Sequence, residues 1–192
     1  MKPFLKVIRL YKNEATLIKG VLKNNRDAQH RLFEIHAPKM LSVCRYYIKD
    51  LQQSEEVMLT GFLKVFKKMD TFEGAGSLEG WIRKIMVREA ISYLRSKKTF
   101  EFAAEELVLE KESENNIQSN IEVAQIQSLI DALPDGYKLV FVMYAIEGYK
   151  HAEIAQTLNI NEGTSKSQLY KARKLLQKMV SKLNVNTHLG YL

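Results

Sequence analysis

Apolar residues recur along most of the chain at intervals of three and four, and strictly alternating runs are few, so the pattern predicts helices and no sheet. A helix is expected over Ala28 to Lys49, with Asp27 as its N-cap and Leu32, Phe33, Ile35, Met40, Val43 and Tyr47 at helical spacing. Pro38 falls inside that run and predicts a kink. A second helix is expected from Glu55 to Met69, capped by Ser54, with Met58, Phe62, Val65, Phe66 and Met69 on one stripe. The glycines of Asp70 to Ser77 predict a loop, and a helix from Leu78 to Ser96 follows. Further on, a helix over Ile121 to Ala132 should stop near Pro134, and another over Tyr137 to Tyr144 should end at Gly148. The fold class expected is all-α, with an N-terminal helical bundle and a C-terminal helix-turn-helix joined by an acidic flexible linker.

The C-terminal pattern carries the most information. Ile154, Ala155 and Leu158 share one face of a short helix, and Asn159, Asn161 and Gly163 then mark a tight turn. Asn161 is placed to cap a second helix. At about 100° per residue from Ser167, the apolar Leu169, Ala172, Leu176, Met179 and Leu183 fall within about 120–200°. Tyr170, Lys171, Lys174 and Lys178 fall near Ser167 on the other side, flanked by Lys166 and Arg173. A helix that packs on one face and offers cations, hydroxyls and an aromatic on the other suits a DNA major groove. The stretch after Leu183 reads as a frayed end.

A second polar stripe lies on the helix from Leu78. Measured from Ile82, Leu78, Ile85, Met86 and Tyr93 point one way, while Trp81, Lys84, Arg88, Ser92 and Arg95 cluster at about 200–280°. Cations that follow a phosphate backbone, beside an indole that can stack on an unpaired base, suit single-stranded nucleic acid. A solvated face around an edge-of-core tryptophan is the blander reading of the same residues.

Composition sharpens this division. The 192 residues carry a net charge of +7, unevenly spread. Residues 1–98 hold 20 Lys and Arg against 10 Asp and Glu, residues 99–122 hold one Lys against seven Glu, and residues 123–192 hold eight against five. Two basic modules separated by an acidic tether is the organisation this implies. No run approaches the ~18 apolar residues of a membrane span, and the N-terminus lacks the apolar core of a secretory signal. The single cysteine, Cys44, excludes an intramolecular disulfide and fits a reducing, cytoplasmic setting. His30, His36, His151 and His188 have no metal-ligand spacing, and neither a phosphate-binding loop nor a nucleophile elbow occurs. No enzymatic activity, cofactor or metal is therefore expected.

The string LPDGYKLVFVMYAIEGYKHAEIAQTLNINEGTSKSQLYKARKLL resembles region four of the extracytoplasmic-function sigma factors of bacterial RNA polymerase. The string SEEVMLTGFLKVFKKMDTFEGAGSLEGWIRKIMVREAISYLRSKK resembles their region two. The order of the modules and the variable segment between them match as well. The resemblance implies region two over 1–98, a linker over 99–122 and region four over 123–192. It implies that region four reads the −35 promoter element as duplex through Asn161, Thr164, Lys166, Ser167, Tyr170, Lys171 and Lys174, and sits on the polymerase flap. It implies that region two captures the −10 element as a single strand through Phe72, Gly74 and Ser77 in the loop and Trp81, Lys84, Arg88, Ser92 and Arg95 on the helix. Contact with the polymerase clamp would fall on Glu55, Glu56, Leu59, Phe62 and Leu63. The implied partners are core RNA polymerase, promoter DNA and an anti-sigma protein.

The chain departs from the family's usual residues at Glu56, where many members carry Asp, and at Leu59, where they carry Gln. It departs again at Arg88 and Ser92, where Asn and Asp are common. Two other functions fit parts of the pattern. A free-standing helix-turn-helix regulator would bind a palindrome as a homodimer and would need a sensing or dimerisation domain in the N-terminal half. An adaptor with basic helices would bind an acidic protein and show no salt-dependent promoter binding.

Overall fold

The computed structural model of the chain describes residues 13–97 and 123–189. The acidic tether lies outside the described residues. The chain divides into two compact units, Met1–Tyr93 and Leu94–Leu192.

In the first unit, α1 (Glu14–Leu22), α2 (Arg26–Tyr47), α3 (Leu51–Lys67) and α4 (Leu78–Ser96, whose residues 94–96 fall in the second unit) follow one another, with a 3-10 turn at Met69–Thr71 before α4. Helix α1 was not singled out by the sequence pattern. The Asn13 side chain caps it by accepting from Thr16 N at 2.8 Å. Leu17 and Val21 of α1, Leu32, Met40 and Tyr47 of α2, Val57, Phe62 and Val65 of α3, and Leu78, Ile82 and Met86 of α4 form the core. Ile35, expected on the apolar face of α2, is instead 47% exposed.

Two cap assignments are corrected. Helix α2 starts earlier than expected, because Asn25 and not Asp27 accepts from Ala28 N, at 2.9 Å. It then runs through Pro38 to Tyr47 as one element. Helix α3 is capped by Asp50, whose side chain accepts from Gln53 N at 2.8 Å. Ser54 sits inside the first turn, buried, with its hydroxyl directed to the carbonyls of Ile48 and Asp50. Both errors have one cause. Several cap-competent residues stand in a row, and what selects among them is where the preceding chain turns, which depends on tertiary packing.

Helix α4 is fixed on its inner side. Gly61 of α3 leaves room for Met86: a Cβ on residue 61 would lie 2.3 Å from the Met86 sulfur. Lys39 of α2 pairs with Glu79, Lys64 of α3 pairs with Glu89 at 2.6 Å, and the Tyr93 hydroxyl donates to Gln53 at 2.6 Å. The Lys39 hydrogen bond draws the Glu79 carboxyl below its ordinary range. The buried face is wider than expected and takes in Val87, Ala90, Ile91 and Leu94 as well, while Ile85 and Tyr93 are only half-buried.

The second unit contains α5 (Val123–Asp131), α6 (Asp135–Phe141), a π turn at Val142–Ile146, α7 (His151–Leu158) and α8 (Glu162–Leu189). Leu139, Val140, Val142 and Met143 pack with Ile154, Leu158, Leu169 and Ala172 in its core. The π turn shows in the hydrogen bond from Glu147 N to Val142 O, five residues back. Helix α8 continues to Leu189, so residues 184–189, expected to fray, extend it. Its apolar stripe is buried at Leu169 and Ala172, half-buried at Leu176 and Met179, and 37% exposed at Leu183.

Among the described residues no helix is long and apolar enough to cross a membrane. The close approach at residue 61 makes a direct prediction. Gly61→Val should destabilise the first unit by about 1–3 kcal/mol, because Met86 is buried and its sulfur has to be displaced. Urea unfolding followed by Trp81 fluorescence measures this, and an unchanged midpoint would show that Met86 moves aside without cost.

Candidate nucleic-acid and polymerase-binding surfaces

The loop before α4 is built by its glycines. Gly74 and Gly76 have φ of 76° and 94°, a region that side-chain-bearing residues rarely enter, and a Cβ on either would meet nothing within 4 Å. Their role is therefore conformational: they turn the chain back so that α4 can begin. Asp70 and Thr71, expected in the loop, belong to the 3-10 turn. Ser77 ends the loop as a cap, its hydroxyl accepting from Gly80 N at 3.1 Å. The loop's route brings Phe72 to Trp81, with ring centroids 5.6 Å apart and planes tilted by 53°. Both rings are half-buried, and Gly74, Ala75, Gly76 and Ser77 are exposed.

Beyond Trp81 the outer face of α4 carries Lys84, Arg88, Ser92 and Arg95, all exposed. Their spacing of three and four residues places them one above another on the helix. The geometry thus assembles an aromatic pair, a glycine-bent loop and a row of cations from residues 72–95. Such a surface can hold an extended anionic strand and stack on a base.

Helix α3 presents a different outer face. Glu55 and Glu56 are exposed, as are Leu59 and Leu63 at 50% and 61%. Leu51, one turn before Glu55 and missed by the sequence reading, is 55% exposed and continues this stripe. Phe62 does not belong to it. It is 2% exposed and meets Phe33 edge-on at 4.8 Å, so its assignment as a contact residue is corrected to core. The apolar period placed Phe62 in the stripe and the family resemblance placed it among the contact residues, and burial separates the two.

In the second unit the turn between α7 and α8 forms as expected. Asn159 adopts the left-handed conformation with φ of 56°, and the Asn161 side chain accepts from Thr164 N at 2.6 Å. From that cap α8 projects Lys166 and Lys174 into solvent, with Tyr170 and Lys171 half-exposed. The Lys174 ammonium lies 5.9 Å from the Tyr170 ring centre. Lys166 is 3.8 Å from Glu162. Thr164 is half-buried.

Ser167 is a correction. Its angle puts it among the cations, yet it is buried and its hydroxyl donates to Thr164 O at 2.9 Å. Packing around the first turns of α8 covers this side of the helix, and a helical wheel does not register neighbouring elements.

One cluster had no counterpart in the sequence reading. His151, the first residue of α7, places Nδ1 2.8 Å from the Ser165 hydroxyl oxygen on α8. Tyr144, from the π turn, stacks on the imidazole with centroids 4.6 Å apart and planes 24° from parallel. The Arg173 guanidinium lies 5.7 Å from the centre of the Tyr144 ring. Burial lowers the His151 pKa; Lys166 and Arg173 push it the same way, and Glu162 opposes them. The widened turn that aims Tyr144 leaves no hydrophobic period in the sequence.

Burial pushes the Cys44 thiol up to about 12, so it stays protonated and unreactive. Among the described residues no three His, Cys, Asp or Glu side chains stand together as a metal site.

The family description "Sigma-70 region 2" matches residues 32–100, and "Sigma-70, region 4" matches residues 124–176, together more than half of the chain. An ECF RNA polymerase sigma factor of Bacillus subtilis, SigW, is 26% identical over 86% of this chain and 96% of its own length. The RNA polymerase sigma factor SigV of the same organism is 27% identical over 71% of this chain and 81% of its own. Among solved structures, the sigma factor RpoE of Bartonella quintana, crystallised with the anti-sigma factor NepR, is similar in fold. It has a TM-score of 0.52 and 17% identity, covering 79% of this chain and 96% of that one.

The division of α3 into inner and outer residues is testable by stability alone. Phe62→Ala should cost about 3–5 kcal/mol, whereas Leu63→Ala should stay within about 0.5 kcal/mol of the parent. Denaturant unfolding of the two variants decides this, and similar losses in both would mean that Leu63 is covered within the unit.

Proposed function

The chain belongs to the sigma-70 family, in its extracytoplasmic-function group, and from that premise we propose that residues 1–98 and 123–192 act as separate promoter-reading modules, with 99–122 between them. A sigma factor binds core RNA polymerase, recognises the −35 and −10 elements and directs transcription initiation. The observation that carries the assignment to residues is the pairing of two cationic surfaces of different build, one on each compact unit.

The surface of α4 takes the −10 element as a single strand. Phe72 and Trp81 offer aromatic faces to an unpaired base, Gly74 and Ser77 shape the loop, and Lys84, Arg88, Ser92 and Arg95 follow the backbone. Because Arg88 and Ser92 replace the Asn and Asp common at these positions, the bases read there differ from those of such members. The surface of α8 takes the −35 element as duplex. Asn161 and Thr164 set the start of the recognition helix, and Lys166, Tyr170, Lys171 and Lys174 reach bases and phosphates.

The outer stripe of α3 meets the polymerase clamp through Glu55, Glu56, Leu59 and Leu63, with Leu51 at its edge. Exposed leucines bordered by carboxylates suit a partner surface that buries the first and pairs the second. The second unit sits on the flap. An anti-sigma protein that holds the factor inactive would cover one of these surfaces; the Bartonella relative was crystallised in complex with an anti-sigma factor, NepR. The protein performs no catalysis of its own, acts in the cytoplasm with the polymerase and requires no cofactor.

Two predictions separate the surfaces. Lys166→Ala or Lys171→Ala should weaken binding to a duplex −35 element by about 1–3 kcal/mol where the lost contact is to a base edge. Equal activity of variant and parent on promoters with and without a good −35 element would remove that role. Leu59→Ala combined with Leu63→Ala should lower affinity for core polymerase at least about tenfold, as truncation of apolar anchors does. Size-exclusion binding with an unlabelled competitor measures it, and parent-like affinity would move the clamp contact off α3.

A further inference from the structure

A part-buried hydrogen bond joins α7 to α8 through His151. Ser165 is fully buried, so its hydroxyl depends on protein partners, and Nδ1 of His151 stands 2.8 Å from it. This bond joins the first residue of α7 to the first turn of α8, where Asn161 caps the helix and from which Lys166 projects. Tyr144 covers one face of the imidazole, and Arg173, further along α8, lies over the tyrosine. The two helices of the helix-turn-helix are thereby joined by a polar contact, and the same imidazole stacks on Tyr144 of the preceding π turn.

We propose that His151 is a positioning residue for −35 recognition: through its hydrogen bond to Ser165 it sets the placement of α8, and so of Lys166, Tyr170 and Lys171, against the duplex. This rests on the reading of α8 as the −35 helix. The groups facing the imidazole are Tyr144 from the π turn and Glu162, Ser165, Lys166 and Arg173 from α8, with Lys150 and Glu153 beside it on its own element. Two cations against one carboxylate on α8, together with burial, favour the neutral ring.

The sign of the pH effect follows. The unfolded chain binds a proton on His151 at an ordinary imidazole pKa, while the folded unit takes it up only at lower pH. The contribution of the cluster to stability is therefore complete above the ordinary imidazole range and declines as pH falls through it.

The variants separate the two links that His151 makes. His151→Phe keeps a ring against Tyr144 and removes Nδ1. His151→Asn places an amide atom near the Nδ1 position, cannot titrate, and gives up the stack. Ser165→Ala removes the hydroxyl. Each would be assembled with core polymerase and assayed on a promoter carrying its −35 element, on the same promoter with that element scrambled, and on a premelted template that needs only the −10 element.

His151→Phe and Ser165→Ala should each lower −35-dependent transcription about tenfold, and the double variant should lose no more than either alone. His151→Asn should recover activity to within about twofold of the parent, and should flatten the fall in the second unit's melting temperature below neutral pH. Output from the premelted template should not change in any variant. Parent-level activity of His151→Phe, losses that multiply in the double variant, or an equal loss on the premelted template would overturn the proposal. The Lys166→Ala and Lys171→Ala variants, run in parallel, separate it from the reading beneath it. If they too leave −35-dependent transcription unchanged, the assignment of α8 has failed; if they reduce it while His151→Phe does not, only the role of His151 has.

Discussion

One-sided burial of α4 is the constraint on which the first unit depends. The helix can hold Trp81, Lys84, Arg88 and Ser92 outward only because Leu78, Ile82, Met86 and Ala90 are locked inward. Gly61 makes that lock possible by admitting the Met86 side chain against the α3 backbone. Lys39–Glu79 and Lys64–Glu89 then sit at the rim of the contact, where exposed ion pairs contribute little energy but help fix rotation about the helix axis. A row of cations along one face repels itself, so it persists only on a helix whose other face supplies the stability.

The second unit solves the same problem with less apolar material. Helix α8 has a buried face only over its first half and projects beyond the apolar residues that hold it, since Leu176 and Met179 are only half covered and Leu183 is exposed. Its orientation is set near its N-terminus, by the Asn161 cap, the left-handed Asn159 and the His151–Ser165 bond. Small polar contacts in this region govern where a long helix points, because an angular error at its start grows along its length. The residues proposed to read DNA and those proposed to aim them therefore lie within a few positions of each other.

Much of this was legible in the sequence, for reasons that also mark the limit. Period and punctuation gave α4, the α7–α8 turn and its Asn161 cap, because those signals are local. The caps of α2 and α3 were misplaced, since Asn25 and Asp27, or Asp50 and Ser54, are equally competent chemically and only the path of the incoming chain chooses between them. Ser167 was placed on an outer surface because helical angle describes direction and not what stands in that direction, and Phe62 was carried there by the family resemblance although its period put it on the apolar stripe. The π turn at Val142–Ile146 and the cluster it builds around His151 were invisible, being joined across three elements with no repeating pattern. The family resemblance supplied the order and purpose of the modules, and the side-chain geometry supplied which of the residues are exposed and which are core.

The most direct measurement is run-off transcription with sigma-free bacterial core polymerase, the purified protein and a pool of genomic fragments. The account predicts new start sites that depend on the protein, each preceded by a shared pair of elements near −35 and −10. Tight duplex binding by the protein alone, with no protein-dependent start site on any fragment, would contradict it.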